Sequence, residues 1–587
     1  MKRNSSLYAA CFLTVALVMS CATGTAAGTE GQKAAQPVNA VEFTRLLGNG
    51  INLGNTMEAY GHVVPGIDKE PSAYETLWGQ PITTPEMLKA MKEHGFDSIR
   101  IPVAWTNTMN YEEGDFTISK AYLDRVAEIV NYALDAGMRV IVNDHWDGGW
   151  WGMFGSADPS TREKAMALYV SMWTQIGERF KDYSDWLVFE SANEELGDRL
   201  NETSVAKDSG KLKENERYQA VRRINQAFVD TIRGLGGNNA DRFLLIAGYD
   251  TNIDKTVDTR FKMPLDTAKD RLLVSVHYYG PWSLCGTEST ERWGSVKDYT
   301  TMNETLAKMK VFVEQGYGVV IGEYGVLPYR DGSYKKDTVD YHRNLLDLCD
   351  LYDYAPMLWD CSSFFIRRDL AIKDADLAAL YKGRNNEARA GLSIDEIKAQ
   401  AKASLAASLE RAKAFVEEKP ALGGDGKAVA WIMYSSSDWN TTYSVGDVYN
   451  PASITKGVVA QDAEIEGPGT YTVSLDFTGT SGGAANGMVF SAVGISNGEL
   501  LFPGYLITIK ELLINGKPYA LKGVPYTTAD DKKCTRVNLY NGWVTEVPAE
   551  ARSVVGNKSL LSPKLIDVAS LGEVKSISVT FDYGPKK

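Results

Sequence analysis

Between about residues 49 and 383, short apolar runs alternate with amphipathic helical stretches. The apolar runs are GINLG (50–54), SIRIPV (98–103), RVIVND (139–144), LVFESAN (187–193), RFLLIAG (242–248), LLVSVHYY (272–279), GVVIGEYG (318–325) and APMLWD (355–360). Strands that are apolar at nearly every position are buried on both faces, as in a parallel sheet covered by helices. Between most of the runs lie helical patterns, such as 85–95, 120–137 and 225–236. Gly95, Gly137 and Gly236 stand where a left-handed residue ends a helix. Eight such units predict an α/β fold, a (β/α)8 barrel. A doubly wound open sheet is the competing reading.

The pattern then changes twice. Residues 392–419 are rich in Ala, Glu and Lys and read as one long helix, either a stiff spacer or a helix packed on the barrel. GGDG (423–426) ends it. From 428 onward the alternation has period two, as in TYTVSLDF (470–477) and VKSISVTFDY (574–583), and Asn515-Gly516 signals a tight hairpin. These features predict an all-β sandwich. The expected division is a barrel over 39–385, a helical linker over 386–426 and a sandwich over 427–587.

The N-terminus reads as an address. Lys2 and Arg3 precede an apolar stretch from Leu7 to Met19, the size of a signal-peptide core and short for a bilayer span. Val18-Met19-Ser20-Cys21 is similar to a lipobox, in which Cys21 would be lipidated and attach the chain to a membrane; cleavage near Ala26-Ala27 is the alternative. Residues 22–38 suit a flexible tether. Export is therefore expected, as a cell-surface lipoprotein or a secreted protein. The net charge of −13 repels phosphate backbones and makes nucleic acid an unsuitable partner. Cys285, Cys349, Cys361 and Cys534 lack metal-ligand spacing. Cys285 and Cys361 are the pair that the top face of the barrel would bring together. Thirteen Trp and thirty Tyr are many; large cores account for part of them, and some are expected to be platforms for sugar rings. On the sandwich, Trp439, Tyr443, Tyr540 and Trp543 are candidates for such a role.

In a (β/α)8 barrel the reacting groups lie at the C-terminal ends of the strands. Arg100, Asn143-Asp144-His145, Asn193-Glu194-Glu195, His277 with Tyr279, Glu323, and Trp359-Asp360 end the second, third, fourth, sixth, seventh and eighth runs. Splitting a glycosidic bond needs one carboxylic acid and one carboxylate. Glu194 and Glu323 are the pair so placed.

The strings GINLGNTMEA (50–59), WGQP (78–81), GFDSIRIPVAW (95–105), VIVNDHWDGG (140–149), SANE (191–194), VSVHYYGPW (274–282), VIGEYG (320–325) and MLWD (357–360), in this order, resemble glycoside hydrolase family 5, subfamily 4, over about residues 40–385. The resemblance implies a retaining endo-β-1,4-glucanase or xyloglucanase acting on plant cell-wall β-glucan. It implies Glu194 as acid/base with a raised pKa, and Glu323 as nucleophile kept ionised by Arg100 and Tyr279. It further implies Asn193 at the sugar 2-OH, His145 and His277 holding carboxylates and substrate hydroxyls, and Trp359 flooring a sugar subsite. Asn55, Glu58, Trp78, Trp150 and Trp282 fall in loops at the expected active face, where lining the cleft and burial in the core are equal readings. No cofactor or metal is implied, since acid/base and nucleophilic chemistry suffice. The chain departs from the family at Glu195, where Pro is common and a charge beside the acid is expected, and at Trp146, where a second His is common. Xylan or mannan hydrolysis, or a catalytically silent glycan-binding protein, are the alternatives.

Overall fold

A computed structural model describes residues 38–586 except 61–65, 68, 288–291, 330–331, 416–421, 446–452, 531–532 and 545. The signal segment, Cys21 and the tether up to residue 37 lie outside the described residues.

Eight parallel strands close in sequence order: β1 (Gly50–Asn52), β2 (Ser98–Ile101), β3 (Arg139–Asn143), β4 (Leu187–Glu190), β5 (Leu244–Ala247), β6 (Leu272–Tyr278), β7 (Gly318–Tyr324) and β8 (Tyr354–Leu358), with β1 pairing β8. The open-sheet alternative is thereby excluded. Each strand falls within or beside the apolar run that predicted it.

Alternation along the strands sorts side chains into two cores. Ile141, Val188, Leu245, Leu273 and Val320 point inward and pack with Ala40, Phe43 and Leu47 of helix α1 (Ala40–Leu47), which plugs the bottom of the barrel. Their neighbours Val140, Val142, Leu244, Ile246, Val274, Val319 and Ile321 point outward into the helical layer. Helix α1 begins with a capping box between Asn39 and Glu42, which satisfies otherwise orphaned N–H groups. Ser98 also points inward and donates to the Leu47 carbonyl at 2.7 Å. Two residues on, the same parity turns Arg100 into the barrel near its top.

Glu323 breaks this parity. Val320 faces in, so simple alternation would aim residue 323 outward. However, β7 carries one extra residue against both neighbours: Ile321 pairs with Val276 and Glu323 with His277 on one side. On the other side Ile321 pairs with Pro356 and Tyr324 with Leu358. This bulge resets the alternation, and bulges re-aim side chains in this way. Gly322 occupies it because a Cβ there would stand 2.7 Å from Ser275 Oγ and 3.2 Å from His277 Nε2.

The predicted long helix forms over Ile394–Ala412. It packs on the barrel: Ala412 belongs to the barrel's hydrophobic core, and Lys398 pairs with Asp353 at 2.6 Å. Just before it, Arg389 and Arg384 both pair with Asp350, at 3.0 and 2.6 Å. Much of the expected linker is therefore part of the barrel's outer layer. Beyond it, a seven-stranded and a five-stranded sheet share one core, with Ile432, Val493 and Val537, paired across three strands on one face, packed in one cluster with Val473, Leu475 and Phe581 of the other. Asn515 and Gly516 both have positive φ, 54° and 70°, and form the predicted hairpin turn.

Candidate active site

The inward parity of the barrel delivers a buried polar belt at its top, centred on Arg100. The guanidinium is fully buried and places four of its five N–H donors on side-chain oxygens. Nε donates to Glu190 Oε2 at 2.6 Å, Nη1 to Asn52 Oδ1 at 3.0 Å and Glu323 Oε1 at 3.1 Å, and Nη2 to Asn193 Oδ1 at 2.8 Å. A rigid planar donor set of this kind holds several acceptors in fixed directions, which an ammonium group cannot do. Asn52 and Glu190 were not singled out from sequence. Their inward parity at strand ends was the available signal.

Glu194 and Glu323 converge on His277. Its Nδ1 lies 2.9 Å from Glu194 Oε1 and 3.6 Å from Glu323 Oε2. One carboxylate oxygen of each glutamate and a ring nitrogen of His277 all lie within 4.8 Å of one another. Tyr279 donates to Glu323 Oε2 at 3.0 Å. Among the described residues this trio also has the spacing to share a metal ion, but Arg100 already supplies a positive charge to the Glu323 carboxylate.

The two carboxyls differ in exposure: the Glu194 side chain is 36% exposed and that of Glu323 8%. Burial pushes the Glu194 carboxyl up, yet the hydrogen bond and charge of His277, with Arg199 and Arg100, outweigh it and leave its pKa below the ordinary value. Burial dominates at Glu323 and raises its pKa, against His277 and Arg100 and with help from the Glu194 charge. This reverses the expected order for the free site. Arg199, 3.9 Å from Glu194 Oε2, contributes to the reversal; it lies in a short 3-10 helix (Asp198–Asn201) beyond the end of the strand run and gave no sequence signal.

A pocket of about 360 Å³ opens over the pair and is lined by Glu194, Tyr279, Trp282, Glu323 and Trp359 among others. Trp282 is 64% exposed and meets the Tyr279 ring edge-on. His145 is not bonded to either carboxylate but stacks on Trp359, centroids 5.7 Å apart and planes 15° apart, so only His277 fulfils the carboxylate-holding expectation. Asn55, at φ 58°, shapes the turn after β1, where its N–H donates to Glu58. Trp78 is partly exposed, whereas Trp150 is fully buried against Trp151, 4.5 Å away, and is core rather than cleft. Cys285 and Cys361 both line the pocket, and no disulfide joins them.

Glu195 does not add the expected charge. It is fully buried, accepts from the Asn193 N–H at 3.0 Å, and burial drives its carboxyl up to about 8. Such a carboxyl is protonated at neutral pH. Burial shifts two more carboxyls at the top of the barrel in the same direction by less, Glu58 to about 7 and Asp147 to about 6. A folded-state pKa above the unfolded value means that the native state holds the proton more tightly. These groups therefore stabilise the fold at low pH, and that stabilisation is lost as pH rises toward their folded values. Glu195→Gln keeps the acceptor and removes the titration. Its unfolding temperature is expected to match wild type near pH 4.5 and to exceed it near pH 8. An equal difference at both values, measured by calorimetry, would exclude the effect.

Comparisons with known proteins agree with this fold. The family model described as Cellulase (glycosyl hydrolase family 5) matches residues 57–364. A xyloglucan-specific endo-β-1,4-glucanase of Bacteroides ovatus is 32% identical over 372 residues, 59% of this chain and 71% of that protein. Endoglucanase A of Paenibacillus barcinonensis is 32% identical over 353 residues, 55% of this chain and 82% of that protein. Among solved structures, a Bacteroides ovatus GH5 xyloglucanase in complex with a XXXG heptasaccharide superposes with a TM-score of 0.52 at 30% identity, covering 60% of this chain and 77% of that one. A GH5-4 broad specificity endoglucanase from an uncultured bovine rumen ciliate gives 0.51 at 32% identity, covering 59% and 98%.

Proposed function

Because the chain belongs to glycoside hydrolase family 5, the cellulase family, we propose that Glu194 is the acid/base and Glu323 the nucleophile of a retaining cleavage. The chain is an endo-β-1,4-glucan hydrolase. The observation that supports a nucleophilic carboxylate is the short gap between the pair, with one oxygen of each within 4.8 Å of the other; which of the two attacks follows the family resemblance. Direct attack on the anomeric carbon calls for carboxyls about 5–5.5 Å apart, whereas an intervening water needs about 6.5–9.5 Å.

The steps follow from the contacts. Glu323, aimed by the β7 bulge and held by Arg100 and Tyr279, attacks the anomeric carbon. Glu194 gives its proton to the leaving glycosidic oxygen, then takes one from the water that releases the glycosyl-enzyme. In the free site the proton favours Glu323. A glucan seated in the pocket covers the exposed side of Glu194 and raises its pKa by desolvation, while positive charge growing at the anomeric carbon lowers that of Glu323. The substrate thereby completes the protonation pattern that the chemistry needs. Asn193, fixed through Arg100, is offered to the sugar 2-OH, and Trp359 and Trp282 offer ring faces. His145 sets the Trp359 plane, and Asn55 shapes the cleft wall through its turn.

The relatives above are endoglucanases and a xyloglucanase, and no feature of the site favours xylan or mannan. The test is the anomeric configuration of the first products. NMR on xyloglucan or barley β-glucan is expected to show β-anomers before mutarotation, and initial α-anomers would overturn the assignment. Carboxymethylcellulose, xylan and mannan in the same panel rank backbone preference.

We also propose export, with lipidation at Cys21, on the basic-apolar-lipobox order of residues 2–21. A mature chain beginning at lipid-modified Cys21, seen by mass spectrometry from the native cell envelope, is the expected result. A cytoplasmic chain retaining residues 2–20 would overturn it.

A further inference from the structure

Four of the thirteen tryptophans are among the large apolar side chains left exposed: Trp78, Trp282, Trp439 and Trp543. Trp282 lines the catalytic pocket. Trp439 and Trp543 instead stand together on the C-terminal sheets, 58% and 60% exposed, with ring centroids 5.9 Å apart and planes tilted by 36°. Phe490 continues the row, 6.0 Å from Trp543.

The sheet itself assembles this row. Strands Val429–Ser435, Phe490–Ser496 and Cys534–Asn541 are adjacent, with Ser435 opposite Phe490 and Phe490 opposite Asn541. The hairpin after Ser435 carries Trp439, and the turn after Asn541 carries Trp543. Both turns are tied down. Asp438 accepts from the Asn440 N–H at 3.1 Å and from Asn486 Nδ2 at 2.8 Å, while the Trp439 N–H donates to the Ser436 carbonyl at 3.0 Å. The Trp543 N–H donates to Asn541 Oδ1 at 3.0 Å. Trp439 sits at φ 58°, a costly conformation for so large a residue. Strain of this kind persists where the surroundings over-determine it, and it concentrates at ligand clamps. Here it holds an indole in water rather than in the core.

We propose that Trp439 and Trp543 form a second glucan-binding site, separate from the catalytic pocket, that stacks on the C–H faces of β-1,4-linked glucose units. The flat neutral rings suit a flat neutral polymer. The exposed rim of Ser437, Asp438, Asn440 and Asn486 offers donors and acceptors to equatorial hydroxyls and adds no positive charge that would select an anionic polysaccharide. The choice of glucan rests on the activity of the barrel. A polymer held at this site raises the effective concentration of bonds at the pocket without any new contact there.

The test compares full-length protein carrying Glu323→Gln, which binds without turnover, with the same protein also carrying Trp439→Ala and Trp543→Ala. Depletion on amorphous cellulose and retardation in native gels containing barley β-glucan are the readouts. The tryptophan substitutions are expected to weaken retention about tenfold or more, in line with the avidity gain from a second module. In the active background they should leave turnover of cellotetraose within about twofold, since a short oligosaccharide occupies only the pocket. A Trp439→Tyr/Trp543→Tyr pair, which keeps the ring faces, should retain most of the binding. Equal retention of the parent and the alanine pair would overturn the proposal. So would a wild-type dimer that the alanine pair dissociates with retention unchanged, because the indoles would then be a subunit contact. Failure of hydrolysis with loss of retention would instead sink the catalytic reading and leave this site standing.

Discussion

Glu323→Ala is expected to lower kcat on soluble β-glucan by roughly five orders of magnitude, the range seen when a covalent nucleophile is removed, while the protein stays folded. The first part follows from position: no other carboxylate among the described residues shares the Glu194–His277 cluster, so nothing replaces the bond to the anomeric carbon. The second part follows from electrostatics. Burial already raises the Glu323 pKa, which means that its ionised form is costly in the native state. Its removal deprives Arg100 of one acceptor but leaves Glu190 at 2.6 Å, Asn52 at 3.0 Å and Asn193 at 2.8 Å. Thermal unfolding should therefore change little. Steady-state kinetics with circular dichroism on the same preparation checks both parts, and near-wild-type turnover in a folded variant would end the nucleophile assignment.

Arg100→Met is expected to be the most damaging single change at the site, costing about 3–5 kcal/mol of stability in urea unfolding. The methionine fills part of the volume, but it leaves Glu190 as a carboxyl with 0% side-chain exposure and no cation, and it orphans the oxygens of Asn52 and Asn193. Removing one partner of a buried pair is far worse than removing both. Arg100→Lys should recover part of the stability, since charge returns, but little of the activity, since one ammonium cannot hold four acceptors in a plane. The pH profile separates the two roles. Arg100 lowers the Glu323 pKa, so its loss raises that pKa further, and the acidic limb of kcat/KM should move to higher pH. An unmoved limb, or a stability loss within about 1 kcal/mol, would show that the guanidinium is dispensable.

The site differs from a simple reading of family positions in its charge pattern. Glu194 was expected to carry the proton and Glu195 to add a negative charge. Instead His277, Arg199 and Arg100 hold the Glu194 pKa down, and burial keeps Glu195 protonated to about 8. The acid/base role proposed for Glu194 then depends on substrate covering it, which ties productive protonation to occupancy of the pocket.

Much of this protein was legible in its sequence. Largely apolar runs at 98–103, 139–144 and 318–325 are satisfied by strands covered on both faces, so a helix-covered parallel sheet is written into local pattern, whereas its closure through β1 and β8 is not. The Asn515-Gly516 turn follows equally, because both positions need positive φ and these residue types tolerate it. Strand-end chemistry at Arg100, Glu194, His277 and Glu323 was visible because barrel topology sends those ends to one face. Other features were settled by tertiary structure alone. Parity along β7 would have pointed Glu323 away from the barrel, and only the extra residue at Gly322, accommodated against Ser275 and His277, turns it inward. Trp150 became core, and the helix Ile394–Ala412 became a barrel layer rather than a spacer, through contacts with distant segments. The reason is common to all of these. Period and propensity act over a few neighbouring residues, whereas facing at a bulge, burial and the pKa of a carboxyl are set by groups that arrive through space from elsewhere in the chain.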